Sequence, residues 1–274
     1  MPAWIDTALQ WPLSVNVSII VALSVAVPWA AVRLTRRLMP QPRREGGDEL
    51  VGFTYGVYGL IYGVLLAFVI VITWERFAET EKLVMHETAL LSELWRDSLV
   101  ARPFIREDVQ KNLVAYATSV VEDEWPSMAA EGRAHPRTEQ IYENLWAITY
   151  QFAPQTKLQE AYMAEYLARM NELSAARRMR LLHSRMEVSG VLWLVLVIGA
   201  VPAVAYPLLF SCRQQWIQVV VVGSVMMIVM LGLLVTLSLQ HPFSGTVAIE
   251  PEAFRQLLQS FDTRMHVPPA AGAG

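Results

Sequence analysis

The chain has 274 residues, of which 54% are hydrophobic and only 17% charged, more apolar material than one soluble core of this length uses. A formal net charge of −3 without any basic stripe interleaved with aromatics excludes broad nucleic-acid binding, and the single cysteine, Cys212, excludes an internal disulfide or a thiolate metal cage. These proportions point to a membrane protein whose fold rests on packing.

A bilayer core needs roughly 20 apolar residues in a helix. Four segments meet that length without an internal Asp, Glu, Lys or Arg: residues 15–32, 50–74, 190–210 and 217–239. The first is read as a retained span, because no Lys or Arg precedes it and no convincing small-x-small cleavage site follows. Trp4, Trp11, Trp29, Trp74, Trp193 and Trp216 fall at span ends, the belt position where an amphipathic ring is at home. Pro28, Pro202 and Pro207 are expected to bend the spans that hold them.

The second span opens with "GFTYGVYGLIYGVLLAFVIVITWERF". Gly52, Gly56, Gly59 and Gly63 are spaced 4-3-4 and share a helix face, with Tyr55, Tyr58 and Tyr62 on an adjoining stripe. Two readings follow. The small face packs against another helix with the tyrosines at its border. Alternatively it lines a pore, whose apolar constriction runs from Val64 to Phe68 and gates by dewetting.

From residue 75 to 189 the apolar period is helical. Val109, Leu113, Tyr116 and Val120 make one stripe, and Ile141, Leu145, Ile148 and Phe152 another. Pro103, Pro126, Pro136 and Pro154 divide the region into about four helices, and the absence of Pro or Gly from 74 to 102 predicts that the second span runs on as one long helix. The acidic run Glu122 to Glu124 is expected to be a solvated helix end, since three consecutive carboxylates diverge and make a poor calcium cage. His86, His135, His183, His241 and His266 show no metal spacing and are expected to be solvated or interfacial. Arg177, Arg178, Arg180 and Arg185 either reach lipid headgroups or, in a ring of copies, gather anions. With neither a nucleophile elbow nor a phosphate loop, nothing points to an enzyme, a cofactor or a bound metal. After the fourth span come a turn, a short extended strand at 246–249, a helix from Pro251 with Phe254, Leu257, Leu258 and Phe261 on its apolar face, and a tail at 267–274 expected to be disordered.

The expected architecture is thus all-α, with four transmembrane helices and a helical extramembrane domain between the second and third. Its parts are a first pair at 1–74, the domain at 75–189, a second pair at 190–239, and the C-terminal segment at 240–274. Arg36, Arg37, Arg43 and Arg44 in one short loop and Arg213 in another, against no basic residue in the N-terminal tail, place the large domain outside the cytoplasm by the positive-inside rule.

Several segments in order carry a family likeness: "LLAFVIVITWERF" with Trp74 and Glu75, "VVEDEWPSM" with Glu124, Trp125 and Pro126, "NELSAARRMRLL", and "HPFSGTVAIEPEAF" with His241, Pro242, Phe243, Ser244 and Gly245. Together they resemble the bestrophin-like domain-of-unknown-function family of bacterial membrane proteins, over nearly the whole chain. A more distant likeness is to bestrophins proper, pentameric anion channels whose second span lines a narrow apolar neck. That resemblance implies a homo-oligomer in a bacterial plasma membrane passing small inorganic ions, with Val64 and Phe68 at neck positions. It also implies a cytosolic domain, opposite to the loop charge. The chain has one Trp at the neck's end where bestrophins commonly have a pair, and shows no equivalent of the acidic calcium clasp. The competing expectation is a non-conducting scaffold or sensor whose helical domain binds a protein partner.

Overall fold

A computed structural model describes residues 11–38, 48–151, 153–186, 188–210, 212, 214–245 and 247–266. Trp4, Arg43, Arg44, Arg213, Thr246 and the tail at 267–274 lie outside the described residues. All regular structure among the described residues is helical.

By contact the chain divides into two compact units. One comprises Met1–Phe77, Glu187–His241 and Gly245–Val247, and the other Ala78–Met186, Pro242–Ser244 and Ala248–Gly274.

The first unit contains the four long apolar helices. Helix α1 is Leu13–Leu38, α2 is Asp48–Asp97 and contributes its first part here, α7 is Gly190–Ala205, and α8 is Gln215–Gln240. Each, α7 together with the 3-10 turn that follows it to Leu209, is long and apolar enough to cross a membrane. Pro28 sits inside α1 and Pro202 inside α7, which ends at Ala205; Pro207 lies in the 3-10 turn Tyr206–Leu209 that completes the third span, Gly190–Leu209. A proline ring forbids the next regular hydrogen bond, so the tighter turn takes over there.

Helices pack closely where glycine leaves room. A Cβ on Gly223 would lie 2.5 Å from the Ser24 carbonyl oxygen of α1, one on Gly199 2.7 Å from the Tyr62 ring, and one on Gly232 2.8 Å from Leu66. Tyr62, Leu66 and Val69 of α2 join Leu196, Ala203 and Val229 in the unit's apolar core. At the other end, Arg36 donates to the Cys212 carbonyl oxygen at 2.6 Å and to Gln218 Oε1 at 3.3 Å. Gln218 in turn donates to the Leu208 and Phe210 carbonyls, which ties the α7–α8 turn to α1.

In the second unit, α2 runs on unbroken to Asp97, as the lack of Pro and Gly predicts. A 3-10 turn at Ser98–Val100 follows, then α3 (Pro103–Ser119), a π-helical turn at Val120–Glu124, α4 (Trp125–Glu131), α5 (Pro136–Tyr150) and α6 (Lys157–His183). Pro103, Pro126 and Pro136 each occupy the first turn of a helix, where the missing N–H costs nothing. Thr156 caps α6 by accepting from the Gln159 N–H, and Gly132, at φ 62, ends α4 in the left-handed conformation. The last helix, α9, is Glu252–His266, one residue after Pro251, whose carbonyl accepts from the Arg255 N–H. Phe254 and Phe261 are fully buried, and Phe261 stacks on Trp95 of α2 at 4.4 Å. No strand occurs among the described residues. Residues 247–249, the described part of the stretch expected to be extended at 246–249, have no ladder partner; the Ile249 N–H bonds the Pro242 carbonyl at 2.7 Å.

Candidate functional site

The candidate pore stretch of α2 has two unlike sides. On one, Tyr58 donates to the Gly199 carbonyl at 2.6 Å and Tyr62 to the Leu196 carbonyl at 3.1 Å. Both carbonyls belong to α7. Tyr55 is half-buried against Tyr206 and Phe210. The pore reading sets Tyr55, Tyr58 and Tyr62 beside the glycines as lining candidates; Tyr58 and Tyr62 give their hydroxyl protons to the neighbouring span.

The other side is uncovered among the described residues. No described atom lies within 4 Å of where a Cβ would stand on Gly56, Gly59 or Gly63, while only Gly52 meets a neighbour, Phe210, at ordinary contact distance. The glycines that fill a packing role within this chain are Gly199, Gly223 and Gly232, none of them in the stripe. Val64 and Phe68 are 62% and 65% exposed. At 3.6 residues per turn, the Val64–Phe68 ridge is rotated roughly 130° from the glycine line. The uncovered surface is therefore a wide band, small along one edge and large and apolar along the other, carrying no side-chain charge. Trp74, exposed, stacks on Phe77 at 6.3 Å where this band ends, and Glu75 is exposed beside it.

The second unit contains a buried ion network. Arg180 meets Glu87 through two bonds, Nε to Oε2 at 2.6 Å and Nη2 to Oε1 at 3.1 Å, and Glu124 Oε2 at 3.1 Å; all three residues are fully buried. Arg177 pairs with Glu124 Oε1 and with Glu139 Oε2, each at 2.8 Å, and lies over the Tyr142 ring. Tyr116 donates to Glu87 Oε1 at 2.6 Å. Burial raises the Tyr116 phenol well above its usual value and the Glu87 charge adds to the rise. Burial alone would lower Arg180, but the two carboxylates outweigh it and hold its guanidinium well above the ordinary value.

This placement corrects three expectations. Arg177 and Arg180 neither reach headgroups nor face an axis, because two buried carboxylates claim them; Arg178 and Arg185 are exposed, and Arg185 donates to the Gly132 carbonyl at 2.6 Å. The acidic run is not a uniformly solvated end. Glu122 is exposed, Asp123 bonds Ser119 and pairs with Arg137, and Glu124 is buried because the π turn carries an extra residue and swings it inward. His183 is likewise buried, its Nδ1 2.8 Å from Thr80 Oγ1, rather than solvated. Among the described residues no cluster of three or more His, Cys, Asp or Glu side chains could hold a metal.

Within the second unit, parts of three motif segments meet around this network. Trp125 donates to the Ile249 carbonyl at 3.1 Å and packs edge-on against Phe243 and Phe254, with Arg180 5.9 Å above its ring. Pro242 is buried, Ser244 half-buried and Pro126 exposed; Gly245, at φ 89, takes a turn conformation open mainly to glycine. His241 is partly buried, and its Nε2 has no bond among the described residues. Sequence reading missed Glu87 and Tyr116. Glu87 carried a signal: it continues the apolar stripe of Val84, Leu91 and Leu94, a core position where a carboxylate demands a buried partner.

A family model described as "Bestrophin-like domain" matches residues 22–254. The chain belongs to the bestrophin-like family. A crystal structure of a bacterial bestrophin homologue from Klebsiella pneumoniae carrying a point mutation superposes at a TM-score of 0.67 with 13% identity, covering 90% of this chain and 99% of that one. The same kind of homologue, phased on zinc, gives 0.64 at 14% identity with the same coverage. A mutant described only as a membrane protein gives 0.67 at 14%, over 93% and 99%. At such identities the likeness establishes the fold. No curated protein gives a significant match. Family and helices together make this a multi-pass, channel-type membrane protein.

Proposed function

We propose that several copies of the chain surround an axis and form an anion-favouring pore lined by the second spans, with Val64 to Phe68 as its apolar gate. The observation that carries this reading is the uncovered band of α2. The tyrosine side is pinned to α7, so the glycine edge and the Val64–Phe68 ridge are the surfaces left for an axis and for neighbouring copies. Family membership supports the same reading. Large apolar side chains without polar partners wet poorly, which is how a hydrophobic constriction holds ions back. Exposed Arg178 and Arg185 supply the positive charge that favours anions, in place of the full arginine group. A ring in the bacterial plasma membrane would place small inorganic ions as its cargo and a second copy as its first partner.

Planar-bilayer recording tests this. Purified protein should give currents whose reversal potential in a KCl gradient follows chloride, and Phe68→Ala should raise unitary conductance. A current unaltered by Phe68→Ala removes the gate. A monomer or dimer by native mass spectrometry, with no ladder above the dimer from cross-linked Gly59→Cys, would turn the reading to a non-conducting scaffold or sensor.

A further inference from the structure

The first unit carries, on α1, two positive charges that the chain itself does not use. The ridge Ile20, Ser24, Pro28 and Val32 is the buried side of α1, with Ser24 at the close approach of Gly223 on α8. One turn past Val32, Arg36 is committed to the Cys212 carbonyl and to Gln218. Ridge and clamp together fix the rotation of the helix. Arg33 and Arg37 then stand roughly 140° and 180° round from Pro28, on the side turned away from the packed ridge. Both are exposed, and neither makes an ion pair or a side-chain hydrogen bond among the described residues.

Trp29, 50% exposed, lies one turn before Arg33, and the Arg33 guanidinium sits 5.0 Å over its ring. Stacking fixes the guanidinium plane while leaving its N–H edge free for an oxygen ligand. A Trp at a span end marks the headgroup level. Arg37 follows Arg33 by about 6 Å along the axis, so two guanidiniums meet the depth of the lipid phosphates. Towards the middle of the bilayer the same side of α1 is apolar, with Val25 exposed and a shallow depression lined by Val15, Ser18, Ile19 and Ala22. From Trp29 to Ile19 this face runs about 15 Å, the hydrocarbon depth of one leaflet.

Charge and apolar length together name the occupant. Two unpaired guanidiniums favour a phosphate that carries net negative charge over one offset by its own ammonium, and a soluble anion would leave the apolar face unused. We propose that Trp29, Arg33 and Arg37 bind the phosphate headgroup of an anionic phospholipid, whose acyl chains lie along this face of α1. The site does not depend on the pore reading and would stand in a non-conducting protein.

Native mass spectrometry of the full chain tests this. The protein is stripped of lipid in detergent and titrated with phosphatidylglycerol or with phosphatidylcholine of the same acyl chains. Phosphatidylglycerol should be retained the more tightly, and Arg33→Gln with Arg37→Gln should weaken it about 5-fold for each charge removed. Arg33→Lys with Arg37→Lys, which keeps the charge, should retain most of the binding. Arg96→Gln with Arg102→Gln, an equal loss of charge in the second unit, should leave it unchanged, and excess glycerol 3-phosphate should not displace the lipid. Equal retention of the two lipids, full binding by the double Gln variant, or the same loss in the Arg96 and Arg102 pair would overturn the proposal. So would displacement by glycerol 3-phosphate, which would make the ligand a free phosphate. A changed subunit number in the double Gln variant with lipid retention intact would give the face to a second copy, and a lowered melting temperature without lipid would make the arginines structural; either result also overturns it.

Discussion

Arg180 is the residue on which the second unit's buried charge turns. It is fully buried and lies between two buried carboxylates on different elements, Glu87 of α2 and Glu124 of the π turn. Replacing it with methionine keeps much of the volume but leaves Glu87 with only the Tyr116 hydroxyl and Glu124 with only Arg177. Breaking such a pair from one side costs about 3–5 kcal/mol, because a buried charge loses its compensation. Arg180→Met should therefore lower the denaturant midpoint strongly. Adding Glu87→Leu should recover part of the loss, since an apolar pair does not pay the desolvation of either ion. A double variant no more stable than the single one would mean that the network serves the fold through Glu124 rather than through its balance of charge.

At the scale of the element, the two sets of glycines give opposite expectations. Gly223→Ala drives a methyl to 2.5 Å from a backbone oxygen of α1, which cannot rotate away, so α1 and α8 must part. Overpacking of that kind costs about 1–3 kcal/mol. Gly59→Ala meets open space, and its effect on protomer stability should stay within about 0.5 kcal/mol. Thermal unfolding of both variants in one detergent checks the contrast. The same pair shows what could be read beforehand. Helix boundaries were legible because Pro103, Pro126 and Pro136 act through their own chemistry, and the four spans because burial in lipid demands uninterrupted apolar length. Which glycines pack was not legible. Close approach depends on whether a neighbour's Tyr62, Leu66 or Ser24 arrives at that height, and nothing local to Gly199, Gly232 or Gly223 encodes it. The inward turn of Glu124 was hidden for a similar reason, since a π turn changes the facing of every residue after it without a distinctive composition.

For the whole molecule, the question with the sharpest consequence is which side of the membrane holds residues 78–186. The positive-inside rule weighs short loops, and those hold Arg36, Arg37, Arg43, Arg44 and Arg213, against no basic residue before the first span. Arg177, Arg178, Arg180 and Arg185 lie near the third span on the opposite side and oppose that count, but they belong to a segment of more than a hundred residues, where the rule has least force. Charge thus predicts that 78–186 faces away from the cytoplasm, the reverse of the bestrophin arrangement. Glu79 is exposed on α2 and suits a reporter cysteine in a Cys212→Ala background. A membrane-impermeant maleimide should label Glu79→Cys in right-side-out vesicles and fail in inverted ones. Labelling only in inverted vesicles would put the unit in the cytosol, and would mean that translocation of this chain follows its long segment's arginines rather than its loops. On the pore reading proposed above, the result would also set the face of the membrane at which Arg178 and Arg185 gather anions.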